Sequence, residues 1–308
     1  ELWRSDGTGP GTYQLADIYA GAVSSSLSRP VRAGALAYCS AANVANGQEL
    51  WVTDGTAAGT RLVRDIQTGT IGSAPNNLTV MNGLVYFSAN TTVSGRELWR
   101  SNGTNAGTVM VKEIRPGLDS SQISNLVTVN GLLFFTANDG INGTELWRSD
   151  GTEGGTTLVK DIRAGADGSS PFNLTVVGSS VYFSAFDGAN GTELWKSDGT
   201  QEGTVMVKDI VEGGGSSSPT SLVAMNGVLY FRATTASTGF ELWRSDGTAD
   251  GTFMVKEINP GSVSGLTTTP VVHENRLYFQ ADSGSEGGEL WASDGTEAGT
   301  FLLKDVYP

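Results

Sequence analysis

The chain has 308 residues, 42 of them Gly and 9 Pro, with 38% hydrophobic and 17% charged residues, a balance that suits a folded, turn-rich protein and excludes collagen and a disordered tail. Its 32 acidic against 19 basic residues give a net charge of −13, which argues against nucleic acid and anionic lipid as partners, because both need clustered Lys and Arg. No apolar run approaches the ~20 residues that span a bilayer, Cys39 alone excludes an internal disulfide, and His273 alone excludes a two-histidine site. The sequence opens at Glu1 inside a motif, without Met or a signal-peptide pattern, which reads as a mature or trimmed chain.

Along the chain one tripeptide recurs. ELW begins at Glu1, Glu49, Glu97, Glu145, Glu193, Glu241 and Glu289, evenly spaced with no insertion or deletion between copies. Residues 1–20 hold half a unit, and full units occupy 27–66, 75–114, 123–162, 171–210, 219–258 and 267–306. The unit at 171–210 predicts four short strands: Asn173 to Val177, Val181 to Ala185, Glu193 to Ser197 and Val205 to Ile210. Nothing carries the 3.6-residue spacing of a substantial helix. Second-strand positions read Tyr38, Tyr86, Phe134, Tyr182, Tyr230, Tyr278 and then Cys39, Phe87, Phe135, Phe183, Phe231, Phe279, so one aromatic is expected to face each neighbouring sheet. Fourth strands end in charged pairs such as Lys208-Asp209, as outer edges do.

Four antiparallel strands per repeat predict an all-β fold, a β-propeller in one domain over 1–308. Seven complete blades would need a longer chain, and what is missing amounts to one first-plus-second-strand segment: third and fourth strands occur seven times, first and second strands six times. Seven blades with one incomplete is the expectation, with six blades as the alternative. An incomplete blade is expected to associate or to be completed by another polypeptide.

The motif ELWxSDGTxxGTxLVKDI, seen across essentially the whole chain, resembles the bacterial ELWxxDGT-repeat family of propeller proteins. That resemblance implies an exported or surface-attached bacterial protein and no defined activity. Departures are Asn102 in one SDGT copy and a degraded first strand from Leu27 to Gly34.

Several residue sets are candidates for a site. Asp6, Asp54, Asp150, Asp198, Asp246 and Asp294, with Asn102, precede Gly-Thr and suit capped tight turns, similar to the structural Asp-box turns of sialidase propellers. A carboxylate metal site is the other reading. The loops DGING and DGANG ahead of ELW offer Asp139, Asn142, Asp187 and Asn190 as oxygen ligands, making calcium the one cofactor to consider. Trp3, Trp51, Trp99, Trp147, Trp195, Trp243 and Trp291 could stack on sugars between blades or form interface core. The ELW glutamates are expected to accept backbone hydrogen bonds or to pair with a base such as Arg100 or Lys196. His273, at a position held elsewhere by Met81, Val129, Val177 and Met225, reads as partly buried, and Cys39 as a small core hydrophobe.

No nucleophile, base and orienting group gather at any break in the repeat, so no enzymatic activity is expected. The expected function is a non-enzymatic extracellular bacterial propeller acting as a binding or structural scaffold in adhesion, assembly or surface recognition. Expected partners are proteins or further copies of the chain, and glycans in the alternative of a multivalent lectin with sites between blades. Nucleic acid and membrane insertion are not expected.

Overall fold

The computed structural model describes residues 1–306 and, among them, contains strands and turns but no helix. A two-stranded antiparallel sheet comes first, β1 (Leu2–Arg4) and β2 (Tyr13–Ala16). Six four-stranded sheets follow in chain order. The first two are β3 (Val31–Ala33), β4 (Leu36–Asn43), β5 (Gly47–Thr53), β6 (Arg61–Arg64), and β7 (Asn76–Met81), β8 (Leu84–Thr91), β9 (Gly95–Ser101), β10 (Val109–Lys112). Next are β11 (Ser124–Val129), β12 (Leu132–Asn138), β13 (Thr144–Ser149), β14 (Thr157–Lys160), and β15 (Phe172–Val177), β16 (Ser180–Phe186), β17 (Thr192–Ser197), β18 (Val205–Lys208). The last are β19 (Thr220–Met225), β20 (Val228–Ala233), β21 (Glu241–Ser245), β22 (Phe253–Lys256), and β23 (Val271–His273), β24 (Arg276–Asp282), β25 (Gly288–Ser293), β26 (Phe301–Lys304).

Within every four-stranded sheet the strands follow sequence order, so the unit is a blade-like meander. The sequence-expected strands of 171–210 match β15–β18 to within a residue or two. Asn-Gly turns at Asn82-Gly83, Asn130-Gly131 and Asn226-Gly227 carry positive φ at both residues, the geometry that joins two strands through two residues. The described residues divide into two compact units, residues 1–141 with 147–157, and residues 142–146 with those from 158 onward.

Burial follows the alternation of the aromatic strand. In the first unit Tyr38, Leu50 and Val63 of one sheet pack on Val85, Phe87 and Trp99 of the next. In the second unit Tyr182, Leu194 and Val207 pack on Leu229, Phe231 and Trp243, and Tyr230, Leu242 and Val255 pack on Leu277, Phe279 and Trp291. Tyr and Leu thus face forward along the chain, Phe and Trp backward. Both faces of an inner strand are apolar because a neighbouring sheet covers each.

Fourth strands are the sheet edges expected, but their charge does more than face solvent. The basic residue reaches to the following sheet: Arg64 Nη1 donates to Thr108 O at 2.6 Å, and Lys112, Lys160, Lys208 and Lys256 Nζ donate to the equivalent Thr carbonyls at 2.8 Å. Three of these cations lie about 6 Å over the next tryptophan ring, namely Arg64 on Trp99, Lys160 on Trp195 and Lys256 on Trp291. The charge is a clasp between sheets, with an aromatic face as its second partner.

The last sheet departs from its fellows. Its forward face, with His273, Leu290 and Leu303, is exposed where the equivalent Leu and Val residues of earlier sheets are buried. The expectation of a partly buried His273 is therefore corrected: its side chain is 71% exposed and meets Glu274 at 3.7 Å, on a strand all of whose residues are exposed. Cys39 is a buried free thiol, and burial pushes it up to about 11, so it behaves as a small apolar residue.

Candidate functional site

Each of the seven ELW copies places a carboxylate at or near the start of a strand, and those of Glu49, Glu97, Glu145, Glu193 and Glu241 are fully buried. Among the described residues no lysine or arginine forms an ion pair with them. Each instead accepts hydrogen bonds from backbone N–H groups in the link that follows its own sheet. Glu49 accepts from Gln67 N at 3.0 Å, Ser73 N at 2.9 Å and Ser73 Oγ at 2.5 Å. Glu97 accepts from Ile114 N at 2.8 Å and Arg115 N at 3.3 Å. Glu145 and Glu193 each take a serine N–H and Oγ, from Ser169 and Ser217. Glu241 takes Ile258 N, Asn259 N and Gly265 N. Of the two expected partners, the backbone is the one found; Lys196 Nζ donates to Gly247 O instead.

Burial without a counter-charge raises these carboxyls, and the hydrogen bonds oppose it only in part. For Glu97 and Glu241 burial pushes the group up to about 7. Glu241 has Gly265 where other copies have serine, and so lacks a hydroxyl donor. The signal for this arrangement stands in the sequence as a serine at one fixed place in the link after the Glu in five copies, Ser25, Ser73, Ser121, Ser169 and Ser217. It goes unread until strand order brings link and ELW strand together.

The carboxylates shape one end of each sheet. A meander puts the pre-ELW loop and the outgoing link at the same end, and the Glu pins the link on either side of its tip. At those tips stand exposed aliphatic side chains. Val23, Ile71 and Leu118 in links, and Val44, Val93 and Ile141 in pre-ELW loops, are between 55% and 76% exposed, all in the first unit. In the second unit Val263 occupies a link tip pinned by Glu241. Gly47 and Gly95 let the pre-ELW loop approach the link backbone, since a Cβ on either would meet the link's carbonyls.

At the opposite end lie the DGT turns. Asp54 Oδ1 accepts from Thr56 N at 2.9 Å and Thr56 Oγ1 at 2.7 Å, and Thr56 Oγ1 accepts from Gly59 N at 3.0 Å. The threonine hydroxyl, then its N–H, holds the exposed Asp54 carboxyl below its usual range. Asn102 makes the same two bonds through Oδ1, at 3.0 and 2.7 Å, so the turn needs an acceptor and no negative charge.

Of the predicted ligand residues, the tryptophans lie within the third strands, whereas Asp139, Asn142, Asp187 and Asn190 lie in the pre-ELW loops at the glutamate-pinned end. Trp99, Trp147, Trp195, Trp243 and Trp291 are 6–8% exposed, Trp51 is half-buried, and only Trp3 is open at 59%. A ring so covered, with a cation already over it in three copies, has no face for a sugar, which removes the stacking platform at those five positions. In the DGANG loop the structure brings Asp187 and Asn190 together, but Asp187 Oδ1 already accepts from Ala189 N and Asn190 N, and Oδ2 from Asn190 Nδ2. Burial acts to raise the Asp187 carboxyl, yet those donors outweigh it and the net shift is downward. Asp139 Oδ1 likewise accepts from Ile141 N at 2.8 Å, and Asn142 has partners of its own. Among the described residues no three His, Cys, Asp or Glu side chains gather as a metal set.

No protein-family model matches the chain, and no curated protein matches it. Among solved structures it is similar to a puromycin-hydrolyzing peptidase of Mycobacterium tuberculosis, at 10% identity and a TM-score of 0.50, over 91% of this chain and 44% of that one. A computationally designed protein, Ika8, aligns at 16% identity and a TM-score of 0.47 over 86% of this chain and 70% of its own. A puromycin hydrolase aligns at 13% and 0.46 over 96% and 56%. The chain spans less than half the length of the mycobacterial peptidase, and at this identity the likeness is to the fold alone. It nevertheless corrects the expectation that this chain is no enzyme. A comparable fold occurs within a hydrolase, so a regular repeat is no argument against catalysis.

Proposed function

We propose that the chain is a β-propeller that binds or assembles through the glutamate-pinned loop end of its sheets. Six four-stranded sheets and one two-stranded sheet support a seven-bladed reading, with β1–β2 as part of the seventh blade. The ELWxxDGT resemblance supports a bacterial protein working outside the cell or on its surface, in adhesion, assembly or surface recognition.

One observation carries the binding role: aliphatic side chains stand exposed at successive loop tips of one end, on or beside links hydrogen-bonded to buried carboxylates. Exposed apolar groups cost solubility unless a partner covers them, and pinned backbones reduce the entropy lost when it does. Repetition adds avidity. The partner is a protein surface, a second copy of this chain included.

Replacing Val44, Ile71, Val93 and Leu118 together by Ser is expected to abolish concentration-dependent association in light scattering between about 1 and 100 μM while leaving the thermal midpoint within about 2 °C, as exposed positions allow. A wild-type chain that stays monomeric across that range, or a variant that associates equally, would count against the reading.

A further inference from the structure

The repeat is broken most clearly in and just before the first strand of its first full unit, and the break is one of charge. At the position held by Asn77, Asn125, Asn173, Ser221 and Thr269 stands Arg29; at the position of Val80, Thr128, Val176, Ala224 and Val272 stands Arg32. No other first strand contains Lys or Arg. Both arginines line a cavity of about 520 Å³ between β3 and β7, with Ser28, Pro30, Asn76 and Asn77. The equivalent cavity between β15 and β19, about 570 Å³, is lined by Asn173, Thr175, Thr220, Ser221 and other neutral residues. The two sites share size and position and differ in charge.

The free hydrogen-bonding capacity of the first cavity is mostly donor. None of the ion pairs among the described residues involves Arg29 or Arg32. Arg32 Nε donates to Gly34 O at 2.9 Å, which fixes the side chain and leaves its terminal nitrogens available. Ser28 Oγ accepts from Ser40 N at 2.8 Å and keeps its own proton to donate. Asn76 Oδ1 accepts from Asn77 N at 2.8 Å, leaving the Asn76 amide NH₂. Asn77 Nδ2 donates to Ile123 O at 2.9 Å, leaving its carbonyl oxygen as an acceptor. No acidic side chain lines the space.

We infer that this cavity binds a sugar acid, a hexuronate unit with its carboxylate on Arg29 and Arg32 and its hydroxyls on Ser28, Asn76 and Asn77. Planar guanidinium groups match a carboxylate through paired N–H donors, and Pro30 supplies an apolar wall for the C–H face of the ring. The volume is in the range of sites for small ligands. This site is separate from the apolar loop tips and stands whether or not they bind a partner.

Isothermal titration of the full chain with galacturonate disaccharide tests it, beside the matching neutral galactose disaccharide and sodium sulfate. The uronate is expected to bind one per chain, at least tenfold tighter than either control, and Arg29→Gln with Arg32→Gln to weaken it at least tenfold with circular dichroism unchanged. Absent uronate binding, or binding that the double substitution leaves intact, overturns the site. Sulfate binding as tight as the uronate overturns the sugar-acid assignment. Because both arginines are exposed, loss of fold in the variant is not expected, and Arg29→Gln alone serves as the check, with an intermediate loss.

Discussion

With Glu97 and Glu241 changed to Gln, the fall in stability that the wild-type chain shows between pH 5.5 and 8 is expected to shrink. A buried carboxyl raised to about 7 binds its proton more tightly in the folded than in the unfolded chain, where it titrates near 4.5. Its contribution to stability is complete below the unfolded value and is lost as pH rises through 7. The size is on the order of 3 kcal/mol for each glutamate over the whole range, of which about 2 kcal/mol is lost between pH 5.5 and 8. Glutamine keeps one oxygen for the Ile114 N–H but turns an NH₂ toward the Arg115 N–H, so the variant starts less stable in acid. The slope with pH is therefore the readout, measured by urea denaturation at several pH values. The DGT aspartates act in the opposite sense and on another range: their lowered carboxyls support the fold above about 3.8 and cease to do so in stronger acid. Stability is expected to peak in mild acid, and parallel profiles for wild type and variant would contradict this account of the buried glutamates.

Gly247→Ala is expected to destabilise far more than Gly55→Ala, although both glycines follow the Asp of a DGT turn and both have φ near +90°. The shared part is the left-handed backbone, about 1–2 kcal/mol for a residue with a Cβ. The difference lies in the neighbouring sheet. A Cβ at Gly247 would overlap Tyr182 Oη, whereas nothing lies within 4 Å of one at Gly55. Tyr182 is buried and its ring has no free direction in which to retreat, so overpacking adds about 1–3 kcal/mol. Chemical denaturation of the two single variants measures the gap; equal losses would mean that Tyr182 does not hold the turn of the next sheet.

Much of this architecture was legible in the residues themselves. The fixed spacing of ELW and the aromatic pair on the second strand specify four-stranded units without reference to any fold, because each is a local or periodic property. Three features were not legible, for a common reason. Lys160 reads as an edge charge until the next sheet presents Trp195 and Thr204 to it. Glu49 reads as a backbone acceptor or an ion-pair partner, and the choice stays open until Gln67 and Ser73 curl back to it. His273 reads as half-buried from its repeat position, whereas its strand, unlike the equivalent ones, is exposed throughout. Each depends on a contact between segments far apart in sequence, which periodicity registers only as a recurring residue type. The loop-tip aliphatics were hidden differently: Ile71, Val93 and Leu118 sit in irregular stretches where an apolar residue carries no period to signal its exposure.

The most direct test of a functional loop end is hydrogen–deuterium exchange of the chain at low and high concentration, read peptide by peptide. Protection that grows with concentration across residues 43–47, 68–72, 91–95 and 116–120, with the DGT turns at 54–56 and 102–104 unchanged, is the predicted result. Protection confined to the DGT turns, or to neither end, would contradict it.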